Sequence, residues 1–333
     1  MKKYEFPFVL LWILLIAAQA IGQQTVSLTV EQAISNGLEK SKSLHSSLMK
    51  VEYADAKSSE MSGLMLPFIK AAGSYARFSD VPPFSATIPA STFGPGFPAT
   101  PKSIALSQTI LDNYNMRLTL QQPLFAGFRI RSSANIAEYQ SKASAQDYTR
   151  DKSDLIFNIK NSYWSLFKAI EFNKVVDENV QQVKAHLKDV QNFFDQGIVT
   201  KNEVLKVEVQ LSNAEVLQIE AKNNVSLAML ALNNLVGIPL ETKVDLASHL
   251  QPLTVEYKDV SALIQDALSN RPDVKGMEFR VKAGESGVTL ARSGWYPQIY
   301  LVGNYIYARP NSRILPAIDK LKDTWDVSVN ASL

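Results

Sequence analysis

The chain has 333 residues, 46% hydrophobic and 20% charged, with 34 Lys+Arg against 32 Asp+Glu, no Cys and three His. This is the balance of a folded protein with enough apolar residues for one large core or two smaller ones, and it excludes wholesale disorder. The missing Cys excludes a disulfide framework, a Cys-based zinc site and a thiol nucleophile, and a net charge of +2 provides no global basic field for nucleic acid.

Met1-Lys2-Lys3, the apolar run Phe6 to Ala18 and the small-x-small triplet Ala18-Gln19-Ala20 read as a cleaved export signal over 1–20, with Gly22 as a second cleavage position. The apolar run is shorter than the roughly 20 residues that span a bilayer. The mature chain is therefore expected outside the cytoplasm. No later stretch has 18 consecutive apolar residues, so insertion in a membrane is expected only as a β-barrel.

A repeat at an offset of 230 residues lays 28–79 over 258–309, matching Val30/Val260, Ile34/Ile264, Leu38/Leu268, Val51/Val281, Pro67/Pro297, Ile69/Ile299, Gly73/Gly303 and Tyr75/Tyr305. Each copy reads as an amphipathic helix, then Pro67 or Pro297 at a helix-to-strand junction, then an alternating strand. The first repeat is expected over 21–257, with a helix over 31–66, strands over about 68–79 and 114–124, and a connector over 237–257. The second, over 258–333, has a helix over about 260–294 and strands over about 297–308 and 324–333. Trp325, Val327, Val329 and Ala331 alternate with Asp326, Ser328, Asn330 and Ser332; Tyr114, Met116, Leu118 and Leu120 alternate with Asn115, Arg117, Thr119 and Gln121. Four half-apolar segments of this kind fit membrane β-strands. Residues 80–104 hold six of the 15 prolines and are expected to be an exposed, outward-facing loop that pairs in no sheet.

Between Gly127 and Gly197 there are 69 residues without Gly or Pro, which predicts one helix over about 129–195, roughly 100 Å long at 1.5 Å per residue. Its seam, Leu166, Ala169, Asn173, Val176, Val180, Val183, Leu187, Val190 and Phe194, has coiled-coil spacing with one polar exception. Gly197 suits a left-handed helix end, and Thr200 with Glu203 reads as a capping box that opens a return helix over about 201–236. The return helix has one seam through Val204, Val207, Leu211, Ala214, Gln218, Ala221, Val225, Ala228, Leu232 and Leu235. A second stripe runs through Leu205, Val209, Val216, Ile219 and Leu230, and two stripes suit a helix with a neighbour on each side. The helix over 31–66 and the return helix, each roughly 53 Å, together approach the length of the long one, which suggests two short helices stacked beside it. Ile198 and Val199 are expected to be exposed together at the hairpin tip, where adjacent apolar residues call for a partner.

These segments resemble the TolC-like outer-membrane efflux proteins. The motifs that carry the resemblance are Leu28-Thr29-Val30-Glu31-Gln32-Ala33-Ile34, the stretch Arg117 to Gly127, the tip Phe194 to Leu205, Leu235-Val236-Gly237-Ile238-Pro239-Leu240 and Ala267 to Val274. The resemblance implies a mainly α fold with membrane β-strands: long antiparallel helices in a periplasmic α-barrel and four strands per subunit in a barrel shared by a homotrimer. It implies an exit duct in outer-membrane lipid for efflux or secretion, with a periplasmic membrane-fusion adaptor and, through it, an inner-membrane transporter as partners. It places Gly197, Ile198, Val199 and Thr200 at an adaptor-docking tip, Glu203 at an entrance or gating contact, and Pro67, Pro123, Gly127 and Pro297 at strand–helix junctions. Against the full repeat, the second copy stops after its strands, and completion would add on the order of 110 residues; a chain ending at Leu333 is then expected not to close a helical tunnel. His45, His186 and His249 stand apart without a catalytic or phosphate-binding motif, so neither enzyme activity nor a cofactor is expected. A periplasmic coiled-coil structural or adaptor protein, or a non-functional fragment of a channel, is the alternative.

Overall fold

The computed structural model describes residues 25–80, 85–88, 102–105, 109–248 and 259–333. The expected export signal, much of the Pro-rich segment and residues 249–257 of the connector lie outside the described residues. The strands are β1 (Thr25–Leu28), β2 (Phe68–Arg77), β3 (Ser85–Ile88), β4 (Lys102–Ala105), β5 (Asp112–Ala126), β6 (Lys243–Leu246), β7 (Gln298–Arg309) and β8 (Lys322–Ser332). The helices are α1 (Val30–Lys40), α2 (Lys42–Gly63), α3 (Arg129–Asp195), α4 (Lys201–Val236), α5 (Val260–Asn270) and α6 (Pro272–Arg292), followed by a 3-10 turn at Ser293–Trp295. The chain divides into two units, Met1–Lys50 with Ala145–Lys275, and Val51–Ser144 with Gly276–Leu333.

In the first unit the remainder of α3 and α4 form the predicted antiparallel hairpin. Val176, Val180, Val183 and Val190 of the α3 seam and Val204, Val207, Ala214, Ala221 and Leu232 of the α4 seam are buried. The root of the hairpin packs on α1 and on the parallel pair β1–β6 in a core of Leu28, Ala33, Ile159, Tyr163, Leu166, Leu232, Val236 and Val244. Tyr163, with no exposed surface, donates its hydroxyl to the Leu28 carbonyl at 2.9 Å and accepts from the Ser248 amide at 3.1 Å. It thereby ties the ends of β1 and β6 to α3. Buried Asn233 donates to the Leu240 and Thr242 carbonyls at 2.9 and 2.8 Å and holds the chain as it leaves α4 at left-handed Gly237. Where α2 meets α3, Asp151 accepts from Ser47 at 2.7 Å. Burial pushes its carboxyl up, but hydrogen bonds from Arg150 and Ser47 outweigh this and hold it below the usual range.

The helix expected over 31–66 is two helices, broken at Ser41, and the one over 260–294 is broken at Arg271. Both residues have extended backbone, φ −67° and ψ 111° at Ser41 and φ −69° and ψ 119° at Arg271, and they are partners at the 230-residue offset. Ser41 turns its hydroxyl to the Leu44 amide at 3.2 Å and restarts the helix, while Arg271 precedes Pro272, which disfavours helical backbone before it. The capping box forms at Thr29–Gln32, with reciprocal bonds of 3.2 and 3.0 Å. At Thr200 it does not form. Thr200 is the N-cap without a side-chain bond: the Glu203 amide donates to the Thr200 carbonyl at 3.0 Å and the Glu203 carboxylate accepts from Lys206 at 2.8 Å.

In the second unit β2, β5, β7 and β8 form one antiparallel sheet in that order. The expectation that residues 80–104 pair in no sheet is overturned, because Ser85–Ile88 pairs antiparallel with Lys102–Ala105. The prolines flank both stretches and leave each free of proline, so each retains the amides a ladder needs.

The turn from β5 into α3 is tightly built. Gly127 (φ 58°) and Phe128 (φ 66°) are both left-handed, and a Cβ on Gly127 would lie 2.5 Å from the Ser293 carbonyl oxygen and 2.9 Å from Tyr296 Cβ. Gly127→Ala adds backbone strain to overpacking and is expected to cost about 2–4 kcal/mol, read as a lower thermal unfolding midpoint. Gly197→Ala, at φ 73° with nothing within 4 Å of the added Cβ, is expected to cost only about 1 kcal/mol.

Candidate functional site: a two-faced sheet and a helical tip

Antiparallel pairing puts directly opposed residues on one face of a sheet. One face of the second unit's sheet carries the rows Ala71–Leu118–Tyr305–Trp325 and Ile69–Leu120–Gly303–Val327, and most of these side chains are exposed. Toward the β7–β8 loop, Tyr75 and Tyr114 meet in a tilted contact with ring centroids 5.0 Å apart. Toward the helical end stand Phe125, Phe128 and Tyr296, in edge-to-face contacts at 5.4 and 5.5 Å, and Trp295, 79% exposed. An exposed apolar band with aromatic residues at both ends has the composition of a lipid-facing surface. The other face carries Lys70–Thr119–Asn304–Asp326, with Thr119 donating to Asn304 at 2.9 Å and Asn304 to Asp326 at 3.0 Å. Among the described residues, β2 and β8 are the edges of this sheet.

Pro67 and Pro297 each stand one residue before a strand, at equivalent points of the repeat. Gly127 is the turn into α3. Pro123 lies inside β5, opposite Tyr300, where the β5–β7 register shifts between Pro123 and Phe125. A proline that cannot donate fits this irregular position. The contact of Gly127 and Phe128 with Ser293 and Tyr296 of the second copy is not readable from periodicity, because a strand-to-helix turn and a helix-to-strand passage are not partners at the repeat offset.

In the first unit, α3 ends in a Schellman motif: the Ile198 amide donates to the Phe193 carbonyl at 2.9 Å and the Gly197 amide to the Phe194 carbonyl at 2.8 Å. Lys201 Nζ lies 5.8 Å from the Phe194 ring centroid. Val199 is not exposed beside Ile198. It folds back onto the cluster of Val183, Val190, Val204 and Val207, with Leu187, Phe194 and Leu211, while Ile198 remains 64% exposed. Gly197, Ile198, Val199 and Thr200 thus form one turn, and Glu203 lies one helical turn beyond it, engaged with Lys206. Along α4, Leu205, Val209, Val216, Ile219 and Leu230 stay exposed.

A two-faced four-stranded sheet, with β5 running through a tight turn into the long helix α3, is the type of fold found in outer-membrane efflux channels. The chain belongs to the outer membrane efflux protein family, whose model matches residues 33–238 and 263–333. It is 24% identical over 230 residues to the toxin and drug export protein A of Aggregatibacter actinomycetemcomitans, covering 66% of this chain and 50% of that protein. It is 22% identical over 192 residues to the alkaline protease secretion protein AprF of Pseudomonas aeruginosa, covering 57% of this chain and 40% of that protein. The chain spans about half the length of the relatives it matches. Its fold superposes on the Campylobacter jejuni CmeC outer membrane channel with a TM-score of 0.69 at 19% identity, covering 91% of this chain and 61% of that one. The Vibrio cholerae outer membrane protein VceC gives a TM-score of 0.68 at 17% identity, with 91% and 68% covered.

The two apolar residues of the tip are expected to separate by role. Val199→Asp, which drives a carboxylate into the apolar cluster, should cost about 2–3 kcal/mol, seen as earlier melting of the hairpin. Ile198→Asp should leave the melting profile within about 0.5 kcal/mol of the parent.

Proposed function

We propose that the protein is a subunit of an exit duct in the outer membrane, for efflux of small molecules or secretion of proteins. The observation that carries this reading is the sheet with one exposed apolar face, one polar face and two open edges. Unpaired strand edges are not tolerated in lipid, and four strands are too few to close on themselves, since about eight give a barrel just filled by its own side chains. With an even number of antiparallel strands, β8 of one copy continues the pattern beside β2 of the next, and a homotrimer built this way closes the barrel. The hairpin then extends into the periplasm. The exposed α4 stripe supports contact with a neighbouring helix.

In this reading the turn Gly197–Thr200 meets a periplasmic membrane-fusion adaptor, through which an inner-membrane transporter is reached. Ile198 is the apolar contact, and Val199 stiffens the turn beneath it. Glu203 is a gating contact at the entrance as well as a partner of Lys206. Pro67, Pro123, Gly127 and Pro297 shape the passage from membrane strands to periplasmic helices. No step requires a cofactor, and no enzymatic role is proposed.

Fractionation of cells expressing the chain tests the reading. The protein should sediment with the outer membrane and run as a heat-modifiable oligomer; a soluble periplasmic monomer would refute it. A photocrosslinking residue at position 198 should trap the adaptor in cells that carry the cognate pump, and the same residue on the exposed face of mid-α3, at Phe172, should not.

A further inference from the structure

The polar face of the sheet is unevenly charged. Three consecutive rows cross it: Lys70–Thr119–Asn304–Asp326, Ala72–Arg117–Ile306–Thr324 and Ser74–Asn115–Ala308–Lys322. They carry three cations, Lys70, Arg117 and Lys322, against one anion, Asp326. That anion is already engaged. The β7–β8 loop folds back onto this face: Asn311, almost fully buried, donates to the Lys322 carbonyl at 3.0 Å and to Thr324 Oγ1 at 3.1 Å. Two residues on, Arg313 forms an ion pair with Asp326 at 2.6 Å and donates to the Trp325 carbonyl at 3.1 Å. Asn304 donates to the other oxygen of Asp326. Neither Lys70 nor Arg117 forms a salt bridge with a described residue, and both are exposed, although Arg117 lies close enough to Asp326 to feel its charge. Lys70 stands on the edge strand β2 and Arg117 one row along on the adjacent strand, so the two charges flank Ala72 and Thr119.

We propose that this face is an electropositive track for small anionic solutes, with Lys70 and Arg117 as its charged contacts and Asp326 silenced by Arg313. The proposal deepens the channel reading and rests on it, since only a sheet whose apolar face meets lipid turns this face to water. In a water-filled passage walled by protein, two like charges a few residues apart concentrate counter-ions. The polar neighbours Thr119, Asn304 and Asn115 can hydrogen-bond a carboxylate, sulfonate or phosphate without adding negative charge of their own. The track is symmetric under assembly, because each copy contributes the same rows.

The native chain has no Cys, so single thiols report locally. Ala72→Cys places a thiol opposite Arg117 and two residues from Lys70 on the polar face, and Ala71→Cys places its neighbour on the apolar face. Outer membranes carrying each full-length variant are treated with an anionic sulfonatoethyl or a cationic trimethylammonioethyl methanethiosulfonate, and each rate is normalised to that of free 2-mercaptoethanol. At low ionic strength the thiol at 72 should favour the anionic reagent by about tenfold, and the preference should shrink toward unity at about 1 M salt. Lys70→Gln with Arg117→Gln should abolish the preference, and Lys70→Glu with Arg117→Glu should invert it. Equal or cation-favouring rates at 72, or a preference that survives both double variants, would overturn the track while a slow thiol at 71 upholds the channel reading. If the thiol at 71 reacts as fast as that at 72, both faces meet water, and the track falls together with the channel reading.

Discussion

The register between β5 and β7 is the constraint on which the rest of the structure depends. It joins a strand of the first repeat to a strand of the second, with Thr119 opposite Asn304 and Leu118 opposite Tyr305. A slip of one residue would move every side chain of two strands to the opposite face. It would set Leu118 among the polar rows and send Arg117 into the apolar band. The Thr119–Asn304–Asp326 hydrogen bonds act against such a slip, because only this register brings the three polar side chains into one line. On the apolar face the same register sets Gly303 opposite Leu120 and Val327.

The register ends where the chain must change from strand to helix. β5 extends past its pairing with β2 and keeps only β7 as a partner up to Ala126. Pro123 and the shift that follows it loosen the ladder before Gly127 and Phe128 reverse the chain with two left-handed residues. Their landing site is Ser293 and Tyr296, at the helix-to-strand passage of the second repeat. The two junctions support each other: one supplies the sharp turn, the other the carbonyl and ring against which it is held. Gly127 answers both demands at once, left-handed backbone and the closest approach.

Much of this was legible in the sequence, for physical reasons. A stretch without Gly or Pro between two glycines, with apolar residues in steps of three and four, leaves a long helix as its only regular structure, and α3 and α4 end where glycine allows. The alternation in β5, β7 and β8 gave both faces of the sheet. What escaped was local. Ser41 and Arg271 interrupt an apolar pattern that continues on either side, so periodicity is blind to one extended residue; Pro272 was the available signal at the second break. At the tip, Thr200 and Glu203 have the spacing of a capping box, but Lys206 offers Glu203 a full charge in place of a backbone amide. Val199 shared its neighbour's hydrophobicity, and nothing in composition distinguishes the residue that folds under a turn from the one that stands on it.

The hairpin itself is not uniform. Its root is held by the large core around Tyr163 and its tip by the smaller cluster around Val204. Between them the seam carries Asn173 and Gln218, both hydrogen-bonded to Asp177, at 3.0 and 2.6 Å. Lys184 and Glu215 close beside them, but both are about half exposed and add at most about 1 kcal/mol. Val176, Val180, Ala214 and Ala221 stay buried in the same stretch, so these polar pairs add alignment to an apolar seam and do not replace it, since Asp177 reaches Gln218 in one register only. Apolar burial therefore runs the length of the hairpin, and the polar pairs in its middle fix which residues of the two helices face each other.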